Sequence, residues 1–167
     1  MAGTTRTVRE GLIVGLIGYA AVAVFFTFFD LLAGRGPVFT LNVLGKVVFR
    51  GARDPAILQL PIPADVTAMV MYNFFHLFVA LAVGLFAAWL VEGVESRPER
   101  GLLALLLILA GYVVTVVAVA RLSSGIEPLL PFWTIVAVNT LAAIGGGAYL
   151  WRAHPGLWKR VRGAAAG

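Results

Sequence analysis

Four apolar segments take up more than half of this chain, at residues 11–34, 66–91, 102–120 and 131–151, and the stretches between them carry nearly all the charge. A bilayer hydrocarbon core of about 30 Å requires about 20 helical residues at about 1.5 Å rise each, and every segment meets that length. The predicted fold class is therefore an all-α integral membrane protein. It is a four-helix transmembrane bundle with a short interfacial amphipathic helix in the first loop, all in one membrane domain covering 1–167.

Composition narrows the functions open to such a chain. It is 60% hydrophobic and 13% charged, and it contains no cysteine. The missing thiols exclude disulfides, iron–sulfur clusters, thiolate metal sites and quinone-linked disulfide formation. The formal charge of +5 is spread over several hydrophilic stretches. Basic residues placed beside spans set topology and meet anionic lipid, so no nucleic-acid partner is expected.

Arg6 and Arg9 ahead of an apolar run resemble the start of a secretory signal. However, Gly11–Phe29 runs for 19 residues without charge, whereas a signal's apolar region is about 7–15 residues. The first segment is therefore expected to be a retained helix. With the N-terminus cytoplasmic, eight Lys and Arg fall on the inner side and five on the outer. This bias places both termini in the cytoplasm, and the expected location is a bacterial inner membrane.

The first connection, residues 35–65, is long. Thr40 reads as the N-cap of a helix over 39–50, with Asn42, Lys46 and Arg50 at i, i+4 and i+8 on one side and Leu41, Leu44 and Val48 opposite. A basic stripe on an apolar helix predicts one lying in the membrane interface. Pro55, Pro61 and Pro63 stiffen the return, Asp65 reads as the N-cap of the second span, and Asp30 as a snorkelling or Arg-paired residue. The short connections at 92–101 and 121–130 predict antiparallel neighbours. Glu92, Glu95 and Glu99 with Arg97 and Arg100 read as a solvated turn. Gly11, Gly15 and Gly18 in the first span and Gly145–Gly147 in the fourth predict that these two spans pack closely.

The spans also hold a polar layer. His76 comes ~15 Å below the outer start of its span, Asn73 ~10 Å, and Asn139 ~12 Å into the fourth, with Tyr112 and Thr115 of the third at similar depth. Polar groups in hydrocarbon are costly unless paired. One explanation is a hydrogen-bonded plug joining His76 to Asn139 or Tyr112. The other makes His76 an axial ligand of haem or a chlorophyll-type pigment, or the anchor of a lipid-like ligand. Asn73, Tyr112 and Asn139 would surround that ligand, and Lys46, Arg50 and Arg53 would engage its anionic end. The second histidine, His154, lies about a bilayer thickness away, so the site is either a single-histidine one or one completed by another subunit.

No cluster of acid, base or nucleophile stands out, so no enzymatic role is expected. The expected function is an accessory or scaffold subunit of a larger membrane assembly, with lipid and other membrane subunits or a second copy as partners. The alternatives are a single-histidine cofactor-binding or lipid-binding subunit and a small dimeric transporter. The latter lacks the inverted repeat of discontinuous helices usual in such proteins.

Overall fold

The computed structural model of the chain describes residues 2–52, 59 and 61–165. Six helices follow one another: α1 (Ala2–Leu32), α2 (Phe39–Arg50), α3 (Val66–Ser96), α4 (Gly101–Leu122), α5 (Phe132–Ala153) and α6 (Leu157–Ala165). A single 3₁₀ turn at Pro98–Arg100 leads from α3 into α4. No strand occurs among the described residues. The helices α1, α3, α4 and α5 are each long and apolar enough to cross a membrane, and they form the predicted four-helix bundle. The start of α1, the α3–α4 turn and the end of α5 share one end of the bundle, called here the terminal face. Helix α2 and the α4–α5 connection share the other, the loop face.

Glycine fixes how the spans meet. In lipid, helices gain little from hiding apolar side chains from one another, so close backbone approach and dispersion take over. Gly11 and Gly15 of α1 and Gly84 of α3 are buried at one crossing. A Cβ on Gly15 would stand 2.7 Å from Leu81 Cα, and one on Gly84 would run into the Gly11 carbonyl and the Gly15 amide. Helix α5 packs on a neighbouring face of α1, where a Cβ on Gly145 or Gly146 would come 2.9 or 3.0 Å from the side chains of Ile17 or Val14.

The expected pairing of glycines between the first and fourth spans is thus corrected. The two spans do pack, and Gly18 faces Ala142 of α5, but Gly11 and Gly15 receive α3, because they point to a different face of α1 from Val14 and Ile17.

Helix α4 is attached loosely. Only Ala104, near its start, and Val116, in its second half, are buried along it. Ala104 sits with Leu90 and Val94 of α3, and Val116 joins Val43, Leu44 and Val47 of α2 with Ile126, Leu130 and Ile135. The short connections keep α4 beside its neighbours in sequence. Its leucine-rich first half offers no small-residue seam to draw it against them.

The helix expected in the first connection is present at Phe39–Arg50, and it docks into the loop face. Val43, Leu44 and Val47 are buried, and a Cβ on Gly45 would come 2.6 Å from the Ala68 carbonyl oxygen of α3. Its N-cap position is Val38, which makes no side-chain cap, so the expectation for Thr40 is corrected. The cap comes from α1. Asp30 accepts from the Thr40 amide at 2.7 Å and from the Thr40 hydroxyl at 2.8 Å. At the other end, Gly51 adopts a left-handed conformation at φ 65°, which suits glycine, and its N–H donates to the Lys46 carbonyl.

Two members of the polar stripe of α2, Asn42 and Arg50, are bonded within the protein. Asn42 is buried, donating to the Pro63 carbonyl at 3.2 Å and accepting from the Asp65 amide at 2.9 Å. Arg50 pairs with Asp65 at 2.9 Å. Asp65 also caps α3 as expected, accepting from the Ala68 amide at 2.9 Å. Pro55 lies outside the described residues.

The α1–α3 crossing sets a direct test. Gly84→Leu is expected to lower stability in mixed micelles by about 1–3 kcal/mol through overpacking against backbone. Gly93→Ala, where nothing lies within 4 Å of the added Cβ, should change it little. Equal effects of the two would mean that the crossing is not the tight contact.

Candidate functional site

Helix periodicity brings Tyr72, Asn73 and His76 to adjoining positions on α3, and the close α1–α3 approach sets Tyr19 opposite them. The Tyr19 hydroxyl donates to Asn73 Oδ1 at 2.7 Å. The His76 ring lies between two tyrosines, 5.3 Å from Tyr19 and 6.2 Å from Tyr72, the latter nearly parallel at 17°. Above them a cavity of about 100 Å³ opens between α1, α2 and α3. His76, Asn73, Tyr72 and Tyr19 line one side. Thr27 and Asp30 of α1 line another, and Thr40, Leu41 and Leu44 of α2 contribute the roof.

That roof is anchored by charge. Asp30 is only 1% exposed. Besides holding Thr40, it pairs with Arg35 at 3.2 Å, as the Arg-paired expectation required. Arg35 donates to the Leu129 carbonyl at 2.9 Å and lies over the rings of Phe29 and Phe39 at 5.0 and 4.4 Å. One ion pair therefore ties α1, α2 and the α4–α5 connection together beside the cavity.

The sequence-predicted residues divide into separate groups. His76 and Asn73 line the cavity. Tyr112 lies instead between α4 and α5, 2.9 Å from the Thr140 hydroxyl. Asn139 donates to the Ile135 carbonyl one turn back in its own helix, at 2.8 Å. Neither lines the cavity, because α3 turns its histidine toward α1 and α2 and away from α4. Lys46 and Arg50 lie on α2 toward Asp65, outside the cavity lining. Arg53 lies outside the described residues. The cavity that His76 lines, at about 100 Å³, is smaller than the pockets of about 300–1,000 Å³ that take drug-sized ligands.

A second constellation sits at the terminal face. His154, the C-cap of α5, and Glu10 of α1 are both buried. His154 Nε2 faces Glu10 Oε2 at 2.9 Å and Nδ1 faces Glu95 Oε1 at 2.7 Å. Both contacts are hydrogen bonds only when both ring nitrogens carry protons. Arg6 pairs with Glu10 at 2.8 Å and donates to the Ala153 carbonyl at 3.2 Å, and Thr7 donates to Glu92 at 2.6 Å. These contacts clamp α1, α3 and α5. They also correct the solvated-turn assignment, since Glu92 and Glu95 belong to the last turns of α3 and are held by α1 and α5.

In the sequence, the Arg6–Glu10 spacing of i, i+4 is the one local signal for this cluster. The other partners lie 59 to 147 residues from the groups they meet, and no spacing announces them. Among the described residues, no group of three or more His, Asp or Glu side chains could hold a metal ion.

Fold and sites together define an integral membrane protein of four helical spans, with a polar cavity roofed by a docked loop helix and a charged clamp at the opposite face. Comparison of the chain with family models, curated proteins and solved structures finds no match.

Two tests follow from these charges. The hydrogen bonds from Arg50 and from the Ala68 amide hold the Asp65 carboxyl at about 2, below its ordinary 3.8. A folded pKa below the unfolded one contributes stability above the unfolded value that is lost as pH falls through the folded one. The Arg50–Asp65 contribution should fade between about pH 4 and pH 2. Asp65→Asn should reduce that part of the pH dependence of the melting temperature in detergent. A variant as pH-sensitive as the wild type there would refute this.

His154→Ala removes the buried imidazole that lies between Glu10 and Glu95 and should cost on the order of 3–5 kcal/mol. The exposed neighbour Arg152→Ala should cost about 0.5 kcal/mol or less. Unfolding in mixed micelles compares the two.

Proposed function

We propose that this chain is a non-enzymatic subunit of a larger membrane assembly and that it meets its neighbours through α4. The observation that carries this proposal is the middle of that helix. Residues 105–111 are all exposed, nearly two turns with no side covered. Leu105, Leu106 and Leu109 are each more than half exposed. Ala110 and Gly111 follow directly, and nothing lies within 4 Å of a Cβ on Gly111. Small residues at mid-span let a second helix backbone approach closely, and bulky neighbours then supply contact area. The remaining spans are joined by the glycine crossing and the terminal clamp, so a partner can engage α4 without disturbing them.

The carboxylates support a structural role over a catalytic one. Glu10 and Glu95 are taken by Arg6 and His154, and Glu92 by Thr7. None of the three is left open as a general base.

Site-specific photo-crosslinking in native membranes tests the proposal. A benzophenone amino acid at Leu107 is expected to give a discrete adduct with a different membrane protein. The same probe at Phe78, which is 71% exposed on α3, should give lipid adducts only. Lipid adducts alone at both positions would overturn the α4 interface. An adduct of twice the chain mass would replace the heteromeric assembly with a homodimer.

A further inference from the structure

The cavity beneath α2 has an uneven hydrogen-bond inventory. Asn73 spends its oxygen on the Tyr19 hydroxyl, which leaves its NH₂ group without a partner among the described residues. The Asp30 carboxylate is taken by the Thr40 amide, the Thr40 hydroxyl and Arg35. Tyr72 and His76 make ring contacts but no hydrogen bond among the described residues. The strong acceptors are therefore occupied, while N–H and O–H donors of Asn73, His76 and Tyr72 stay open on one wall. Open donors within a span favour an occupant that brings acceptors.

Charge and shape narrow that occupant. An anionic head group, such as a fatty-acid carboxylate or a phosphate, would enter a cavity that Asp30 also lines. A cation would meet donors and find the carboxylate already paired with Arg35. That leaves a neutral acceptor. The donor wall is built from the rings of Tyr19, His76 and Tyr72, which suits a flat group. The volume of about 100 Å³ is of the same order as the cavity of about 150 Å³ that takes a benzene ring. Being smaller than that and open on one side, the cavity takes at most one six-membered ring, with its substituents outside, and no lipid head group with its glycerol.

We propose that the cavity binds the ring of a membrane-soluble 1,4-quinone, with its carbonyl oxygens accepting hydrogen bonds from His76, Asn73 and Tyr72. The proposal is one of binding. It rests on the cavity alone and is independent of the assembly through α4.

The test uses the purified full chain in lipid nanodiscs, titrated by equilibrium dialysis with two probes. Duroquinone carries both carbonyls, and durene is the same tetramethyl ring without oxygen. Duroquinone should bind saturably at one per chain, and durene at least about tenfold more weakly. Tyr72→Phe keeps the ring and removes one donor. It should weaken duroquinone about fivefold to tenfold and leave durene unchanged. His76→Phe should act in the same direction. In the infrared, the bound carbonyl stretch should lie below that of free duroquinone and return toward it in Tyr72→Phe.

Three results would overturn the assignment. One is equal affinity for the two probes, which marks plain apolar packing. Another is no saturable duroquinone binding, the result expected of a cavity filled by water only. The third is unchanged duroquinone affinity in a Tyr72→Phe protein that melts like the wild type.

Discussion

The contact between the backbones of α1 and α3 at Gly11, Gly15 and Gly84 governs most of what lies around it. In hydrocarbon, nothing comparable to water expulsion drives two helices together, so position is set where surfaces can come nearest. Once the two helices cross there, registers at both ends are fixed. Toward the loop face, Tyr19 comes opposite Asn73 and His76. Toward the terminal face, Arg6, Thr7 and Glu10 come level with Glu92 and Glu95. The candidate cavity and the charged clamp are two outcomes of a single crossing, and α5 completes the second by bringing His154.

Helix α2 shows how a loop can be made part of a membrane bundle without crossing the bilayer. Its first turn is fastened by Asp30 of α1 and its polar side by the segment just ahead of α3. Its buried valines and Leu44 then bear on α4, the α4–α5 connection and α5. Because the amides at a helix N-terminus carry partial positive charge, a carboxylate there is favourably placed. Asp30 answers both that terminus and Arg35.

The spans were legible because their signal is length and apolarity, which survive without knowledge of partners. The loop helix was legible from Leu41, Leu44 and Val48 recurring on one side, and the Asp65 cap from its position ahead of an apolar run. What the sequence hid was facing. Depth along a helix follows from counting residues, but rotation about its axis depends on the neighbour. Hence Tyr112 and Asn139, level with His76 by count, bond elsewhere. Gly11 and Gly15 looked like a surface for α5 for the same reason: a glycine seam says that something approaches, without saying what. The clamp was hidden by distance along the chain, and its acidic members looked ordinary beside Arg97 and Arg100.

The clamp also bears on the order in which the protein can be completed. Arg6 and Glu10 lie at the beginning of the chain, while His154 follows Glu10 by 144 residues. A ribosome delivers the carboxylates of α1 and α3 to the membrane surface well before the imidazole that bridges them exists. Until α5 has been threaded, Glu10 and Glu95 have only Arg6 to share, and the terminal face stays open. Insertion of α5 therefore completes the contact with α1, and a chain released before residue 154 lacks the group that joins the two helices.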